Sequence, residues 1–252
     1  MDDLARGPVG ESGRPRIEEL DWQQTRMGEL MLRRRTELVT GEDVYEVRLG
    51  DEYLMSSAFT VAERELARRA LERTGGGDLE VLVGGLGLGY TAAEALRDRR
   101  VGGLVVVEAL GPVIEWHTRR LLPASGAVAG DPRCRMVEGD FFALTRTGSL
   151  VDLTSTGQPF DAILLDVDHT PTHVLDPSHA GFYTVAGLER LRSALRPGGV
   201  FGLWSDEPAA EEFVAALRTV FRGVEEHDVV FDNPLTGGVS ANTVYVAHAD
   251  DA

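Results

Sequence analysis

The rhythm of apolar and polar positions along the chain changes at Gly77. Before Gly77, short β-forming stretches alternate with glycine-containing turns, a pattern typical of antiparallel strands. These stretches cover residues 28–34, 44–49 and 53–55. A helical pattern over 61–72 follows them and ends at the glycines before Gly77. We therefore predict a small β-rich unit with one helix over 17–75, preceded by a disordered tail over 1–16.

After Gly77, strand and helix patterns alternate. Strands are predicted over 79–83, 104–108, 135–137, 162–166 and 200–204, and helices over 91–98, 111–122, 183–195 and 208–220. Such alternation indicates a parallel sheet with helices on both faces. The last two predicted strands, 224–231 and 243–248, have no helix between them and must form an antiparallel hairpin. The prediction for 76–252 is an α/β, Rossmann-like domain with a mostly parallel seven-stranded sheet that ends in this hairpin.

The first strand of this domain runs into glycines at positions 85, 87 and 89, directly before a helix. Glycine has no Cβ, so backbone N–H groups and the positive end of the helix dipole can approach a polar ligand closely. The dinucleotide spacing G-x-G-x-x-G is not met, because position 90 is a tyrosine. The spacing G-x-G-x-G instead resembles the first motif of class I S-adenosylmethionine (SAM) enzymes. The candidate cofactor-binding residues are Gly85, Leu86, Gly87, Gly89 and Tyr90.

Acidic residues follow three of the predicted strands, at the edge of an open parallel sheet where ligands bind. Glu108 lies where a carboxylate can accept hydrogen bonds from ribose hydroxyls, with Ala109 beside it. Asp140 precedes Phe141, and a carboxylate beside an aromatic ring suits an adenine base. Asp166 ends the fourth predicted strand. Together these residues predict a nucleoside site.

The segment 166–179 contains three acids and three histidines. A carboxylate there would attract a cationic amine and accept its proton, so Asp166 is the candidate general base. Asp168 and His169 are candidate substrate contacts. A metal site is the alternative, but the i, i+4 spacing of His169 and His173 needs a helix that Pro171 disfavours, and no metal is predicted. His117, on the helix after Glu108, is expected to be a packed helix residue.

Composition narrows the partners. A net charge of −16 argues against nucleic acid and anionic membranes and suits a small cationic substrate. A single cysteine excludes an internal disulfide. No signal peptide and no apolar run of membrane-spanning length is apparent, so we expect a cytoplasmic protein without a membrane partner.

Over roughly residues 25–250 the chain resembles the spermidine synthase (polyamine aminopropyltransferase) family. The resemblance is carried by Val81–Gly89, Val107-Glu108, Gly139-Asp140, Asp161–Asp168 and Leu195–Phe201. It implies that Glu108 binds ribose, Asp140 binds adenine and Asp166 is the base on an attacking amine. It also implies a homodimer.

Two departures from the family bear on the reaction. The family's first motif, G-G-G-D-G-G, has an aspartate that holds the aminopropyl ammonium of decarboxylated SAM, and we assign its position to Gly87. The family's Tyr-His-Glu has no clear match in Thr60-Val-Ala-Glu63. Without this aspartate, the site no longer repels the carboxylate that ordinary SAM carries, so ordinary SAM becomes acceptable as a donor.

We therefore expect a SAM-dependent transferase, with methyl transfer to an amine or small cationic acceptor favoured. The first alternative is aminopropyl transfer from decarboxylated SAM. Transfer of the 3-amino-3-carboxypropyl group is a further one. A catalytically inactive nucleoside-binding protein is the alternative from a different functional class.

Overall fold

The computed structural model describes residues 17–38, 40–154, 156–233 and 237–249. The chain divides into two compact units between Ala58 and Phe59. The tail predicted over 1–16 lies outside the described residues. Within the described ranges, no helix has the length and apolar character needed to cross a membrane.

The first unit is a four-stranded antiparallel sheet in the order β1-β2-β3-β4. Its strands are β1 (Ile17–Thr25), β2 (Gly28–Thr36), β3 (Asp43–Leu49) and β4 (Glu52–Ser56). The sequence pattern missed β1, because this strand carries charged residues instead of a clear apolar alternation. Cross-strand pairing supports it in the structure, where Glu18 lies opposite Arg34 and forms an ion pair with it.

The second unit is a seven-stranded sheet in the order β10-β11-β9-β8-β5-β6-β7, which confirms the predicted fold class. Its strands are β5 (Leu79–Gly84), β6 (Val101–Glu108), β7 (Cys134–Glu138), β8 (Phe160–Leu165), β9 (Leu195–Ser205), β10 (Arg222–Asn233) and β11 (Gly238–His248). Strands β5 to β9 are parallel, whereas β11 runs antiparallel to both β9 and β10. The terminal hairpin is therefore present as predicted.

Helices cover the sheet of this unit. They are α1 (Val61–Arg73), α2 (Tyr90–Ala95), α3 (Gly111–Thr118), α4 (Ser125–Val128), α5 (Phe141–Thr147), α6 (Val185–Arg192) and α7 (Glu211–Val220). A 3-10 segment over 177–183 precedes α6. The sequence pattern missed α5, which is short. The Asp140 side chain caps its first turn, whereas the sequence indicated only a ligand-binding role for this residue.

Helix α1 groups with the second unit, whereas the sequence pattern places it before a boundary at residue 75. The buried face of α1 includes Leu66 and Ala70, and it packs against β9. Gly202 of β9 makes this close contact possible, since a Cβ there would lie 2.8 Å from Leu66 Cδ1 and 3.2 Å from Ala70 Cβ. The parallel sheet buries the apolar stripe of α1. The sequence pattern alone could not decide whether this stripe packs on the first unit or on the second.

We predict that Gly202→Ala lowers the free energy of unfolding by about 1–3 kcal/mol, because the added methyl group overpacks the contact between β9 and α1. The control is Gly126→Ala at an exposed position of helix α4, where a Cβ meets no atom within 4 Å. Urea unfolding of the full chain measures both. Equal stability of the two variants would contradict the close packing of α1.

Candidate functional site

The candidate site lies at the carboxyl edge of the sheet, where the strand order reverses. Strand β5 pairs with β6 on one side and with β8 on the other, which creates the crevice in which open α/β sheets bind ligands. The glycine turn after β5 lies at this point. The acids after β6, β7 and β8 lie at the same edge.

The glycine turn depends on Gly85. Its φ angle is +93°, a conformation that glycine adopts without strain. A Cβ at this position would lie only 2.0 Å from the carbonyl oxygen of Asp166. The peptide N–H of Asp166 in turn donates to the carbonyl of Gly84 at 2.8 Å. The turn and the start of the segment after β8 are therefore in direct backbone contact.

Glu108 holds the glycine turn from the end of β6. Its Oε2 accepts hydrogen bonds from the N–H of Leu86 at 2.9 Å and of Gly87 at 3.4 Å, while Oε1 accepts from the N–H of Leu110 at 2.9 Å. The side chain is buried, and this burial raises its pKa although the N–H groups, including that of Ala109, act in the opposite direction. Glu108 thus has a structural role, and its ribose contact stays a prediction.

His117 contacts the same turn from α3. Its Nε2 lies 3.0 Å from the carbonyl oxygen of Gly87, and its Nδ1 lies 3.3 Å from the Ser125 hydroxyl. The side chain is fully buried, which lowers its pKa. The expected packed helix residue is therefore also a polar partner of the glycine turn.

Asp140 and Phe141 differ in what they can offer a ligand. Asp140 begins α5 by accepting a hydrogen bond from the N–H of Ala143 at 2.9 Å through one carboxylate oxygen. Phe141 is 3% exposed, and its ring packs under Gly84 and edge-on to Phe182. The Phe141 ring thus belongs to the hydrophobic core, and its predicted contact with adenine stays a prediction.

Asp166 shares the crevice with Glu63, an acid that the sequence pattern did not single out as a site residue. Thr91 of α2 donates from its hydroxyl to Asp166 Oδ2 at 2.6 Å, and the same hydroxyl lies 3.3 Å from the backbone carbonyl of Glu63. Burial raises the pKa of Asp166 to about 6, against the effect of the Thr91 hydrogen bond. Burial and the charge of Asp166 raise the pKa of Glu63 to about 8.

A third acid, Asp206, follows β9 and completes this acidic cluster of Glu63, Asp166 and Asp206. Its charge also contributes to the raised pKa of Glu63. The N–H of Asp206 donates to the carbonyl of His169 at 2.7 Å, and its carboxylate accepts from the Asn242 amide at 2.9 Å. The loops after β8 and β9 are thereby joined. The one sequence feature that could have indicated Glu63 is its position as the acidic residue in the first turn of α1.

Asp168 has a structural role in the segment after β8, and its predicted substrate contact stays a prediction. Its buried carboxylate accepts three hydrogen bonds, each of 2.8 Å, from Leu175 N–H, His179 Nδ1 and the Tyr183 hydroxyl. These bonds fold the segment that follows Asp166 onto the protein. His169 is partly buried beside His173, with 5.5 Å between their ring centres, and its predicted substrate contact stays a prediction.

Tyr90 is the first residue of α2, and the Arg64 guanidinium lies 4.9 Å from the centre of its ring. Its predicted contact with a cofactor stays a prediction. In the described ranges, no group of three or more His, Cys, Asp or Glu side chains is arranged to hold a metal ion.

Gly87 is the position to which the sequence assigns the first-motif aspartate, and this assignment stays a prediction. The turn 85–89 contains no carboxylate at any position.

We predict that Gly85→Ala lowers the free energy of unfolding by at least about 3 kcal/mol, because its Cβ collides with the Asp166 carbonyl. Gly148→Ala is the matched control: its φ is also positive, +73°, but a Cβ there meets no atom within 4 Å. This control should lose only about 1 kcal/mol. Denaturant unfolding of both variants checks the prediction, and equal losses would mean that the turn and Asp166 are not in contact.

No family model matches the chain. A polyamine aminopropyltransferase of Synechococcus sp. (strain JA-2-3B'a(2-13)) is 29% identical over 176 residues, which are 66% of this chain and 51% of that protein. A polyamine aminopropyltransferase of Prochlorococcus marinus (strain MIT 9313) is 34% identical over 149 residues, 56% of this chain and 47% of that protein. The chain thus spans about half the length of these relatives.

Solved structures of two spermidine synthases have a fold similar to that of this chain. A spermidine synthase from Thermotoga maritima has a TM-score of 0.68 at 18% identity, with 91% of this chain and 72% of that chain covered. A spermidine synthase in complex with the transition state analogue AdoDATO also has a TM-score of 0.68, at 19% identity, with 91% and 73% covered. At this identity the likeness establishes the fold. The chain is therefore similar in sequence to polyamine aminopropyltransferases and has the Rossmann-like fold of these spermidine synthases.

Proposed function

We propose that this protein transfers an aminopropyl group from decarboxylated SAM to a small polyamine-type amine. The observation that carries the proposal is the acidic cluster, in which Glu63 and Asp166 lie in one crevice beside the glycine turn. The names of the two curated relatives support the same reaction. The sequence favoured methyl transfer, but none of the comparisons supports it over aminopropyl transfer.

The carboxyl edge of the sheet fits an adenosyl donor. The turn at 85–89 leaves no side chain between the backbone and a ligand at its glycine positions, and Glu108 fixes the turn in this conformation. In this proposal Glu108 also accepts a ribose hydroxyl through a remaining lone pair, and the second carboxylate oxygen of Asp140 accepts from the adenine amino group. The first oxygen of Asp140 is already used by the cap of α5.

The acidic cluster fits a cationic acceptor. With pKa values of about 6 and about 8, Asp166 is mainly ionised near pH 7 while Glu63 mainly keeps its proton. Two carboxyl groups confined in this way attract a cation, and a bound ammonium favours their charged forms. Asp206 adds a further negative charge at the start of the loop after β9.

Asp166 has the properties of a general base at neutral pH. Its raised pKa places it near the operating pH, where a base is both deprotonated and able to take a proton. Thr91 holds one oxygen of the Asp166 carboxylate, Oδ2, by a hydrogen bond, and in this proposal the other oxygen accepts the proton of the amine. In the transfer, the amine lone pair forms the N–C bond as the C–S bond breaks and its electron pair stays on sulfur. The proton of the amine passes to Asp166, and methylthioadenosine leaves as the neutral thioether.

The donor and the product test this proposal. We expect the full chain with decarboxylated SAM and putrescine to produce methylthioadenosine and spermidine, detected by mass spectrometry. Asp166→Asn should lower kcat by at least about 10²-fold, since general-base help is typically about 10²–10⁴-fold. The variant should still bind methylthioadenosine in calorimetry, because asparagine keeps the size of the side chain and the other predicted nucleoside contacts, Glu108 and Asp140, are unchanged.

The same assay with SAM in place of its decarboxylated form separates the alternatives. Formation of S-adenosylhomocysteine and a methylated amine would overturn aminopropyl transfer in favour of methyl transfer. Nucleoside binding without any turnover would indicate an inactive binding protein. The homodimer and the cytoplasmic location expected from the sequence stay predictions.

The raised pKa of Glu63 predicts a pH-dependent cost to the fold. The folded-state value of about 8 lies above the ordinary value of 4.5, so the folded protein binds the extra proton and its stability falls as pH rises between these values. Glu63→Gln removes this effect. At pH 9 the variant should be more stable than the wild type by at least about 1 kcal/mol, since one pKa unit corresponds to about 1.4 kcal/mol.

At pH 4 the same variant should be no more stable than the wild type. Glu72→Gln, an exposed position on the same helix, is the matched control and should give no gain at pH 9. Denaturant unfolding at both pH values measures the difference. A gain that is equal at pH 4 and pH 9, or absent at both, would mean that Glu63 is not a buried member of an acid pair.

A further inference from the structure

We propose that His117 is a positioning residue for the donor nucleoside: it holds the Gly87 peptide and thereby keeps the glycine turn in its binding conformation. The inference deepens the proposed function and rests on it. His117 lies on α3, which is separated from the turn in sequence by α2 and β6, and its side chain is fully buried. It acts through its contact with the Gly87 carbonyl.

The contact fixes the protonation of the ring. A carbonyl oxygen can only accept, so His117 Nε2 carries the hydrogen and donates it to Gly87 at 3.0 Å. Nδ1 of the neutral ring is then an acceptor, and the Ser125 hydroxyl, 3.3 Å away, is its donor. The Leu122 N–H completes this chain by donating to the Ser125 oxygen at 3.3 Å. Burial, which lowers the pKa of His117, keeps the ring neutral.

The turn is shaped to receive this ring. Gly89 has a φ of +88°, and a Cβ there would lie 2.5 Å from His117 Cε1. The imidazole therefore occupies space that any other residue at position 89 would fill. The glycine at this position serves the packing of His117 as well as the start of α2.

His117 and Glu108 hold opposite polar groups of the same turn. Glu108 accepts from the N–H groups of Leu86 and Gly87, while His117 donates to the Gly87 carbonyl. The peptides on both sides of Gly87 are thus fixed before any ligand binds. A preorganised loop binds more tightly because its ordering entropy has already been lost in folding. Loss of the His117 bond should therefore weaken nucleoside binding rather than the chemical step.

Binding of methylthioadenosine, measured by calorimetry, tests this role. We expect His117→Leu to weaken the affinity about 10-fold, because the Gly87 carbonyl loses its donor. His117→Gln, whose amide nitrogen can take the place of Nε2, should bind within about 3-fold of the wild type. Saturating donor should restore kcat in His117→Leu, so that the loss appears in KM for the donor.

Val214→Ala is the control for a general loss of stability, since Val214 is buried in the hydrophobic core on α7. It should leave the affinity unchanged. Equal weakening in Val214→Ala and His117→Leu, or failure of His117→Gln to recover, would overturn the positioning role.

Nitrogen-15 NMR of the His117 ring gives a readout that does not depend on the ligand. We expect a neutral ring with hydrogen on Nε2, whereas hydrogen on Nδ1 would overturn the inference. A wild-type protein that fails to bind methylthioadenosine would instead overturn the proposed function. The two failures are therefore distinguishable.

Discussion

The close approach of Gly85 to the Asp166 carbonyl is the constraint on which the whole site depends. The two backbones lie so near that only a glycine fits, with a Cβ position 2.0 Å from the carbonyl oxygen. This contact lies between β5 and β8, at the reversal of strand order. It fixes where the turn that would receive a nucleoside lies relative to the acid that would receive an amine, and correct placement of two reactants is a large part of catalysis of a bimolecular transfer.

The acidic cluster has an energetic cost that the fold offsets elsewhere. Burial raises the pKa of Glu63 and that of Asp166, and the charge of Asp166 raises the pKa of Glu63 further, so each carboxyl group lowers the stability of the fold as the pH rises. The apolar face of α1, which holds Glu63 at its start, supplies buried contacts that offset this cost. The buried carboxylate of Asp168 also contributes, since the three hydrogen bonds that it accepts stabilise the segment after Asp166.

The sequence predicted the architecture of the second unit well, because strand–helix alternation and the final hairpin depend on local patterns. It placed Asp166 and the glycine turn at the same edge, for the general reason that parallel strands end there. It could not assign α1 to a unit, since an apolar stripe does not identify its partner. For Asp168 and Phe141 the residue type suggested a ligand, whereas burial, a tertiary property, gave them structural roles. Glu63 was missed because its partner is about a hundred residues away.

The central claim is that Glu63 and Asp166 share one acidic crevice in the folded protein. Carbon-13 NMR titration of the side-chain carboxyl carbons, assigned with Glu63→Gln and Asp166→Asn, measures it most directly. The account predicts one carboxyl that titrates near pH 6 and a second near pH 8. Titration of both groups near pH 4, as for independent exposed acids, would contradict it.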